Sequence, residues 1–314
     1  MLVYVPRELY DGPPPDGLFE SAERYFNARL GGKVEGLCRK LTEGWRTPDG
    51  RRWSLALDDS GVVGFACGAR EGEGFRVTLL FLSGRNNSAE NGLKLIDRLV
   101  RGEGFALASG VTLSPPPGEL GVAMQRAGWT LLPRERRVLL FKEAGLSKPP
   151  VIEGYHLRRL RREDVRVLAL IQAAAFHGTP DAQIYPALAD PADSERMLTD
   201  CLEGAFGRPI PRGCLVVQRR DRLMGGFILS AVEERPENGR LGFVVTFAVS
   251  PPQRGRGLGR LLLSHALASY AAAGLAGSSL QVSSSNLAAT ALYDSLGYGV
   301  TGAETAYRLD AKGI

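Results

Sequence analysis

The stretch FVVTFAVSPPQRGRGLGRLLL, Phe243–Leu263, decides the reading of this chain. Its first seven residues, Phe243 to Val249, are apolar, β-branched or aromatic, the composition of a buried strand. Pro251 and Pro252 end that strand because proline brings no N–H to a sheet ladder. Gly255, Gly257 and Gly259 then alternate with Arg254, Arg256, Leu258 and Arg260. Leu258, Leu261, Leu262, His265 and Ala266 recur at helical spacing, so a helix is predicted to begin inside the glycine run. Strand, glycine-rich arginine loop and helix N-terminus together make an anion site. Free amides and the positive end of the helix dipole face the ligand, and missing Cβ atoms let a phosphate approach the backbone.

Two common phosphate loops fail on named residues. A P-loop needs Gly-Lys-Ser/Thr at the helix start, and there is no lysine here. The dinucleotide fingerprint needs a small residue where Arg260 stands, and no acidic residue follows roughly twenty positions on. The pattern Arg/Gln-x-x-Gly-x-Gly/Ala is met by Arg254, Gly257 and Gly259. After a second predicted strand, Ser279 to Val282, come Asn286, a short helical run carrying Tyr293, and then Gly297-Tyr298. These two signatures, in this order, resemble the GCN5-related N-acetyltransferases (GNAT family), and the resemblance covers most of residues 151–310.

Elsewhere the composition is that of a soluble globular protein. The 314 residues are 44% hydrophobic and 23% charged, long enough for two domains with separate cores. No apolar run reaches membrane-spanning length and Met1–Val5 does not open a signal peptide, so no membrane role is expected. Cys38, Cys67, Cys201 and Cys214 are scattered without CxxC spacing, which argues against zinc and for a reducing cytoplasm. The net charge of +5 is mild, and no basic stripe with interleaved aromatics suggests nucleic acid. His156, His177 and His265 share no metal spacing, and His265 falls on the apolar face of its helix.

The order of predicted elements repeats at about half the chain length. Strands are expected at Val3–Val5, Trp53–Leu57, Val62–Cys67, Val77–Leu82, Phe105–Leu113 and Thr130–Leu140. Helices are expected at Phe19–Leu30, Val34–Leu41, Leu93–Val100 and Leu120–Arg126. After the polar Gly/Pro stretch Lys142–Pro150 the pattern restarts, with a strand at His156–Leu160 and a helix at Asp164–Phe176. Asp190-Pro191 opens a second helix, and a hairpin follows with strands at Cys214–Gln218 and Leu223–Ser230. Gly64-Phe65 matches Gly226-Phe227, and Gly128-Trp129 matches Gly297-Tyr298. Two tandem domains, 1–147 and 148–314, are therefore expected. The resemblance implies an α/β (α+β) fold for each, with a mixed, mostly antiparallel twisted sheet flanked by helices.

The copies differ chemically. The first half offers Arg85–Gly92, rich in Asn and bearing Glu90, where the second has Arg254, Gly257 and Gly259. Met124 and Pro117 stand where the second half has Tyr293 and Asn286. Only the C-terminal half is expected to bind a cofactor.

By resemblance, that cofactor is acetyl-CoA, used as co-substrate without a metal, and the acceptor is an amine. Backbone groups of Arg254, Gly255, Arg256, Gly257, Leu258, Gly259 and Arg260 would hold the pyrophosphate. Those of Phe247, Ala248 and Val249 would bind the pantetheine arm, on a strand that the family splays from its neighbour. Tyr293 would be the general acid for the leaving thiolate, and Asn286 would either contact the cofactor or cap its helix. Many members carry a glutamate base where this chain has Phe243. Glu233, Glu234 and His177 are the substitutes, and His177–Tyr185 lies where an acceptor pocket is expected. A lysine-like amine is mostly protonated at neutral pH, so its proton needs a way out, through one of these groups or through water. The tandem arrangement with a worn first half also resembles the mycothiol synthases, although Phe243 departs from that pattern. A non-catalytic acyl-CoA sensor is the alternative of a different class.

Overall fold

The computed structural model describes residues 2–30, 37–46, 51–71, 74–102, 108–113, 118–144, 148–221, 223–235 and 237–309. The chain divides into two compact units, Met1–Pro133 with Ala303–Ile314, and Arg134–Gly302. Set against a linear division at 147/148, each unit contains a terminal strand segment from the other half of the sequence.

The first unit begins with β1 (Val3–Pro6), α1 (Asp16–Leu30), α2 (Leu37–Arg46), β2 (Arg51–Asp58), β3 (Gly61–Glu71) and β4 (Gly74–Leu82). Of the helix expected at Val34–Leu41, residues 37–41 fall in α2, and residues 31–36 lie outside the described set. The four strands form an antiparallel sheet in sequential order. Apolar alternation along β2 and β3 packs Trp53, Leu55 and Phe65 against Phe19 of α1 and Trp45 of α2, with Phe19 and Phe65 edge to face at 5.4 Å. On the other side, α3 (Ala89–Gly102) and α4 (Gly118–Arg126) bury Leu95, Ile96, Leu99 and Met124. In β5 (Ala108–Leu113), Leu113 and Thr112 pair antiparallel with Thr305 and Ala306 of the last strand, β12 (Gly299–Leu309). Residues 105–107 of the expected strand, and Pro117, lie outside the described set.

The second unit is built on the part of β6 (Trp129–Leu140) from Arg134 onward, β7 (Tyr155–Arg159), β8 (Leu215–Arg219), β9 (Met224–Arg235), β10 (Gly239–Val249) and β11 (Gly277–Ser283). Their order is β6-β11-β10-β9-β8-β7, and the β10–β11 pair is parallel. Residues Arg134–Leu140 of β6 pair antiparallel with Ser283–Gly277 of β11. Helix α5 (Phe141–Ala144) follows β6 and overlaps the start of the stretch expected to be a linker, Lys142–Pro150. One sheet face carries α6 (Val165–Phe176), the short α7 (Pro180–Ile184) and α8 (Pro191–Glu203), whose Leu168, Ala169 and Leu198 pack on Val216, Phe227 and Leu229. The other carries α9 (Leu258–Ala272) and α10 (Leu287–Asp294), with Leu261, Leu262 and Tyr270 packed on Val217, Ile228 and Val244.

Local chemistry fixes these helices as the sequence suggested. Asp190 caps α8, its Oδ1 accepting from the Asp193 amide at 2.9 Å, with Pro191 in the first turn. Gly242 has no Cβ because one would lie 2.4 Å from the Tyr270 ring of α9. At the start of α6, Asp164 accepts two hydrogen bonds from Arg158 at 2.7 Å each and one from the Arg161 amide at 2.8 Å. Burial pushes this carboxyl upward, but the Arg158 and Arg161 bonds outweigh it and hold the carboxyl below its ordinary value. A depressed carboxyl contributes stability above its unfolded pKa of about 3.9 that is lost as pH falls through the folded value. Asp164→Ala should lower unfolding free energy by about 3 kcal/mol at neutral pH, measured by denaturant titration, with a smaller deficit at acid pH.

Candidate functional site

In the second unit the parallel pairing of β10 with β11 covers only Leu241↔Gly277, Gly242↔Ser278 and Phe243↔Ser279. Strand β10 runs on to Val249 and β11 to Ser283, so the two part beyond Phe243. A register shift between Val244 and Thr246 against β9 bends β10 at the same place. Phe247, Ala248 and Val249 pair with Ile228, Phe227 and Gly226 on the β9 side, so their other edge is turned toward the parting.

Beyond β10, Pro251–Gln253 make a single tight turn and Arg254 returns to an extended conformation. Gly255 and Gly257 hold φ of +75° and +79°, and Gly257 is the residue before α9. These left-handed conformations suit glycine alone among ordinary residues, so the loop's curvature is written in its glycines. The first-turn amides of α9 have no intrahelical acceptor, and Gly257 has no side chain to cap them. The loop is anchored from beneath. Gln253 is buried and accepts from Tyr155 Oη at 2.6 Å, and Arg254 donates to the Ala175 carbonyl at 2.9 Å and the Val249 carbonyl at 3.4 Å. Arg254 thus braces the loop against α6 and β10. Arg256 is exposed, Leu258 is buried, and Arg260 pairs with Ser295. The helix end is bare and its loop is exposed, an arrangement that suits an anion.

The equivalent loop of the first unit is closed. Ser88 Oγ accepts from the Asn91 amide at 3.2 Å, and the Ser88 carbonyl accepts from Gly92 at 3.0 Å. Asn91 is tied to Asn86 and Tyr4, and Glu90 to Lys94.

Tyr293 lies on α10, 6% exposed, with its ring 5.7 Å from that of Tyr298. Burial pushes its hydroxyl well above the ordinary value, with the Arg137 charge opposing and Asp181 reinforcing. Arg137, 5% exposed, bonds Glu135 at 2.9 Å and also Asp294, next to Tyr293 in sequence. Asn286 caps α10, its Oδ1 accepting from the Ala289 amide at 3.2 Å. Gly297, at φ +88°, ends the helix with the Tyr298 amide bonded to the Tyr293 carbonyl.

The three base candidates are placed differently. His177 is exposed at the end of α6, and Glu234 is exposed on β9. Glu233 shares a sheet face with Phe243. Its Oε1 accepts from Arg136 at 3.0 Å and Arg235 at 2.7 Å, and its Oε2 from Ser279 Oγ at 2.6 Å. On that face Arg134 donates to Tyr185 Oη at 3.2 Å, and its guanidinium lies 5.3 Å from the Tyr185 ring centroid. Arg134, Arg136, Arg137 and Ser279 are not among the site residues that the sequence points to. Arg134 and Arg136 alternate along the strand expected at Thr130–Leu140, which the sequence places in the first half of the chain.

A family model described as Acetyltransferase (GNAT) family matches residues 181–298. Over those residues the chain is similar to the GNAT family. Its match runs from Asp181 through the loop and Tyr293 to Tyr298. Similar curated proteins include mycothiol acetyltransferase of Salinispora tropica, 33% identical over 169 residues, which are 53% of this chain and 52% of that protein. Mycothiol acetyltransferase of Thermobispora bispora is 36% identical over 192 residues, 60% of this chain and 59% of that protein. The matched part thus spans between half and three fifths of these relatives. Among solved structures, a GCN5-related N-acetyltransferase from Sphaerobacter thermophilus superposes with a TM-score of 0.67 at 16% identity, covering 98% of this chain and 96% of that one. A tandem GNAT protein from the clavulanic acid biosynthesis pathway covers 99% of both chains, with a TM-score of 0.52 and 14% identity. These structures share the fold of the GNAT domain, a mixed sheet flanked by helices. Among the described residues no helix is long and apolar enough to cross a membrane, and no group of three or more His, Cys, Asp or Glu is arranged to hold a metal.

Proposed function

We propose that this chain is an acetyl-CoA-dependent N-acetyltransferase that acetylates a primary amine by direct attack in its C-terminal half. The parting of β10 from β11 beside an uncapped helix end is the observation that carries the reading. It supplies free strand edge for an amide-bearing arm and free helix amides for a diphosphate, in one continuous segment. Acetyl-CoA, when bound, supplies the activated acyl group.

Amides of Gly255 to Arg260 would hold the pyrophosphate, and the edge of Phe247–Val249 would align the pantetheine and polarise the thioester oxygen. As the amine nitrogen bonds to the acyl carbon, the carbon–sulfur bond breaks and its electron pair goes to sulfur. Tyr293 would give its proton to that sulfur and be reprotonated from solvent. The amine's excess proton would leave through water, since the lone pairs of Glu233 are engaged by two guanidiniums and a hydroxyl. Turnover should then rise with pH as the acceptor amine loses its proton, and Glu233→Gln should leave that rise in place and lower turnover several-fold at most. A loss near the 10²-fold scale of a lost general base would make Glu233 that base.

A mycothiol-acetyltransferase-like activity is the second reading, supported by 32–36% identity to proteins of that name. The test of the main reading is release of free CoA thiol from acetyl-CoA with a broad amine panel. Release with at least one amine, with N-acetyl product found by mass spectrometry, is expected. Tight acetyl-CoA binding without release for any amine would instead make the chain an acyl-CoA sensor.

A further inference from the structure

The face shared by Phe243 and Glu233 carries more positive charge than the transfer reaction requires. Arg136 and Arg134 point to this face from β6, opposite Gln281 and Ser283 of β11. Arg235 points to it from β9, two residues beyond Glu233. One carboxylate oxygen, Oε1 of Glu233, receives both Arg136 and Arg235, although each guanidinium has five N–H donors. Both side chains are 26% exposed, withdrawn from bulk water yet open to a ligand. The other Glu233 oxygen reaches Ser279, the β11 partner of Phe243 in the last pair before the strands part.

Arg134 extends the cluster by two residues along β6, about 7 Å at strand spacing. It reaches Tyr185 at the end of α7, a helix whose Asp181 is close enough to act electrostatically on both Arg134 and Tyr293. Through Ser279 and Phe243 the arginine face lies beside the place where β10 and β11 part. Three guanidiniums against Glu233 and Asp181 leave that face cationic. A partly desolvated cation is stabilised by an anion, and a guanidinium meets a carboxylate or phosphate with two parallel bonds.

Resting on the acetyltransferase reading, we infer that the acceptor amine carries an anionic group, a carboxylate or a phosphate, held by Arg136 and Arg235 with Arg134 beyond them. Glu233 is then a positioning residue that sets the two guanidiniums side by side. A polyamine or other purely cationic acceptor is disfavoured by the same charge.

The experiment pairs acceptors that differ in charge at one end, at saturating acetyl-CoA. Amino acids and dipeptides are compared with their C-terminal amides, and O-phosphoethanolamine with ethanolamine. The anionic member should have the higher kcat/KM by about 10-fold or more, as charge-assisted bonds allow. The carboxylate and phosphate series tell the two sources apart. Arg136→Gln should remove the preference by raising KM, with acetyl-CoA affinity unchanged. Arg235→Gln is the substitute if Arg136→Gln does not fold. Equal rates within pairs, or preference for the uncharged member, would overturn the inference.

A second measurement needs no turnover. Succinate and inorganic phosphate are titrated into the protein–CoA complex by calorimetry. Saturable binding of either, weakened about 10-fold or more in Arg136→Gln, is expected. No binding of either at tens of millimolar would overturn the anion site even if neutral amines are acetylated. Anion binding in a protein that acetylates no amine would support the site and count against the acetyltransferase reading instead.

Discussion

Gly257→Glu is expected to abolish acetyl-CoA binding, weakening it by about 100-fold or more, roughly 2.7 kcal/mol. Two effects act together. Gly257 holds φ +79°, where any side chain is strained, and a Cβ there would sit 3.2 Å from Ile152 Cδ1. The added carboxylate would also lie against the pyrophosphate at the end of α9, in the positive field that otherwise favours the ligand. Calorimetry of the unmodified protein should give one site per chain, because the α3 loop is already closed by Ser88 and carries Glu90. Asn87→Asp in that loop should leave both stoichiometry and affinity unchanged. Two sites of similar affinity, or unchanged binding in a folded Gly257→Glu protein, would remove the C-terminal loop from its role. Circular dichroism of the variant separates loss of the site from loss of the fold.

The glycine loop was legible because its demands are local. Positive φ selects glycine at 255 and 257, and proline at 251 and 252 ends a strand whatever surrounds it. The cap of α8 was legible for the same reason, and that of α10 was one of two readings open for Asn286; Asp190 and Asn286 each bond an amide three residues on. The destination of β6 was not. Arg134–Leu140 pair with Gly277–Ser283, residues separated by well over a hundred positions, and strand periodicity says which face a residue takes but not which neighbour it meets. Arg136 stands in the last strand expected of the first domain, Thr130–Leu140, and nothing in the sequence signals its bond to Glu233. Arg137 was hidden likewise, because an arginine on a strand gives no sign that it will be buried beside Asp294. Glu233 was found as a carboxylate near the cofactor strand, but its engagement by two arginines needed the fold.

Tyr293→Phe should lower turnover by about 10- to 1000-fold, within the range for a lost general acid that water replaces in part. Affinity for acetyl-CoA should be unchanged, because the substitution removes one hydroxyl from a ring that is 6% exposed and packed on Tyr298. Burial holds the hydroxyl well above its ordinary value, against the pull of Arg137. The sign of that shift matters: a raised pKa keeps the proton on oxygen through neutral and mildly alkaline pH, so Tyr293 stays a competent donor. Turnover of the unmodified protein should show no decline from loss of this proton below about pH 10, the unperturbed tyrosine value. Arg137→Met should raise the hydroxyl further and leave Asp294 without its buried partner, so it serves as a probe of the same proton only where the variant stays folded. Single-turnover mixing isolates the transfer step from product release, and the deficit in Tyr293→Phe should appear there in full. An unchanged single-turnover rate with chemistry limiting would make Tyr293 a core aromatic. The proton for the leaving thiolate would then come from water in the parting between β10 and β11.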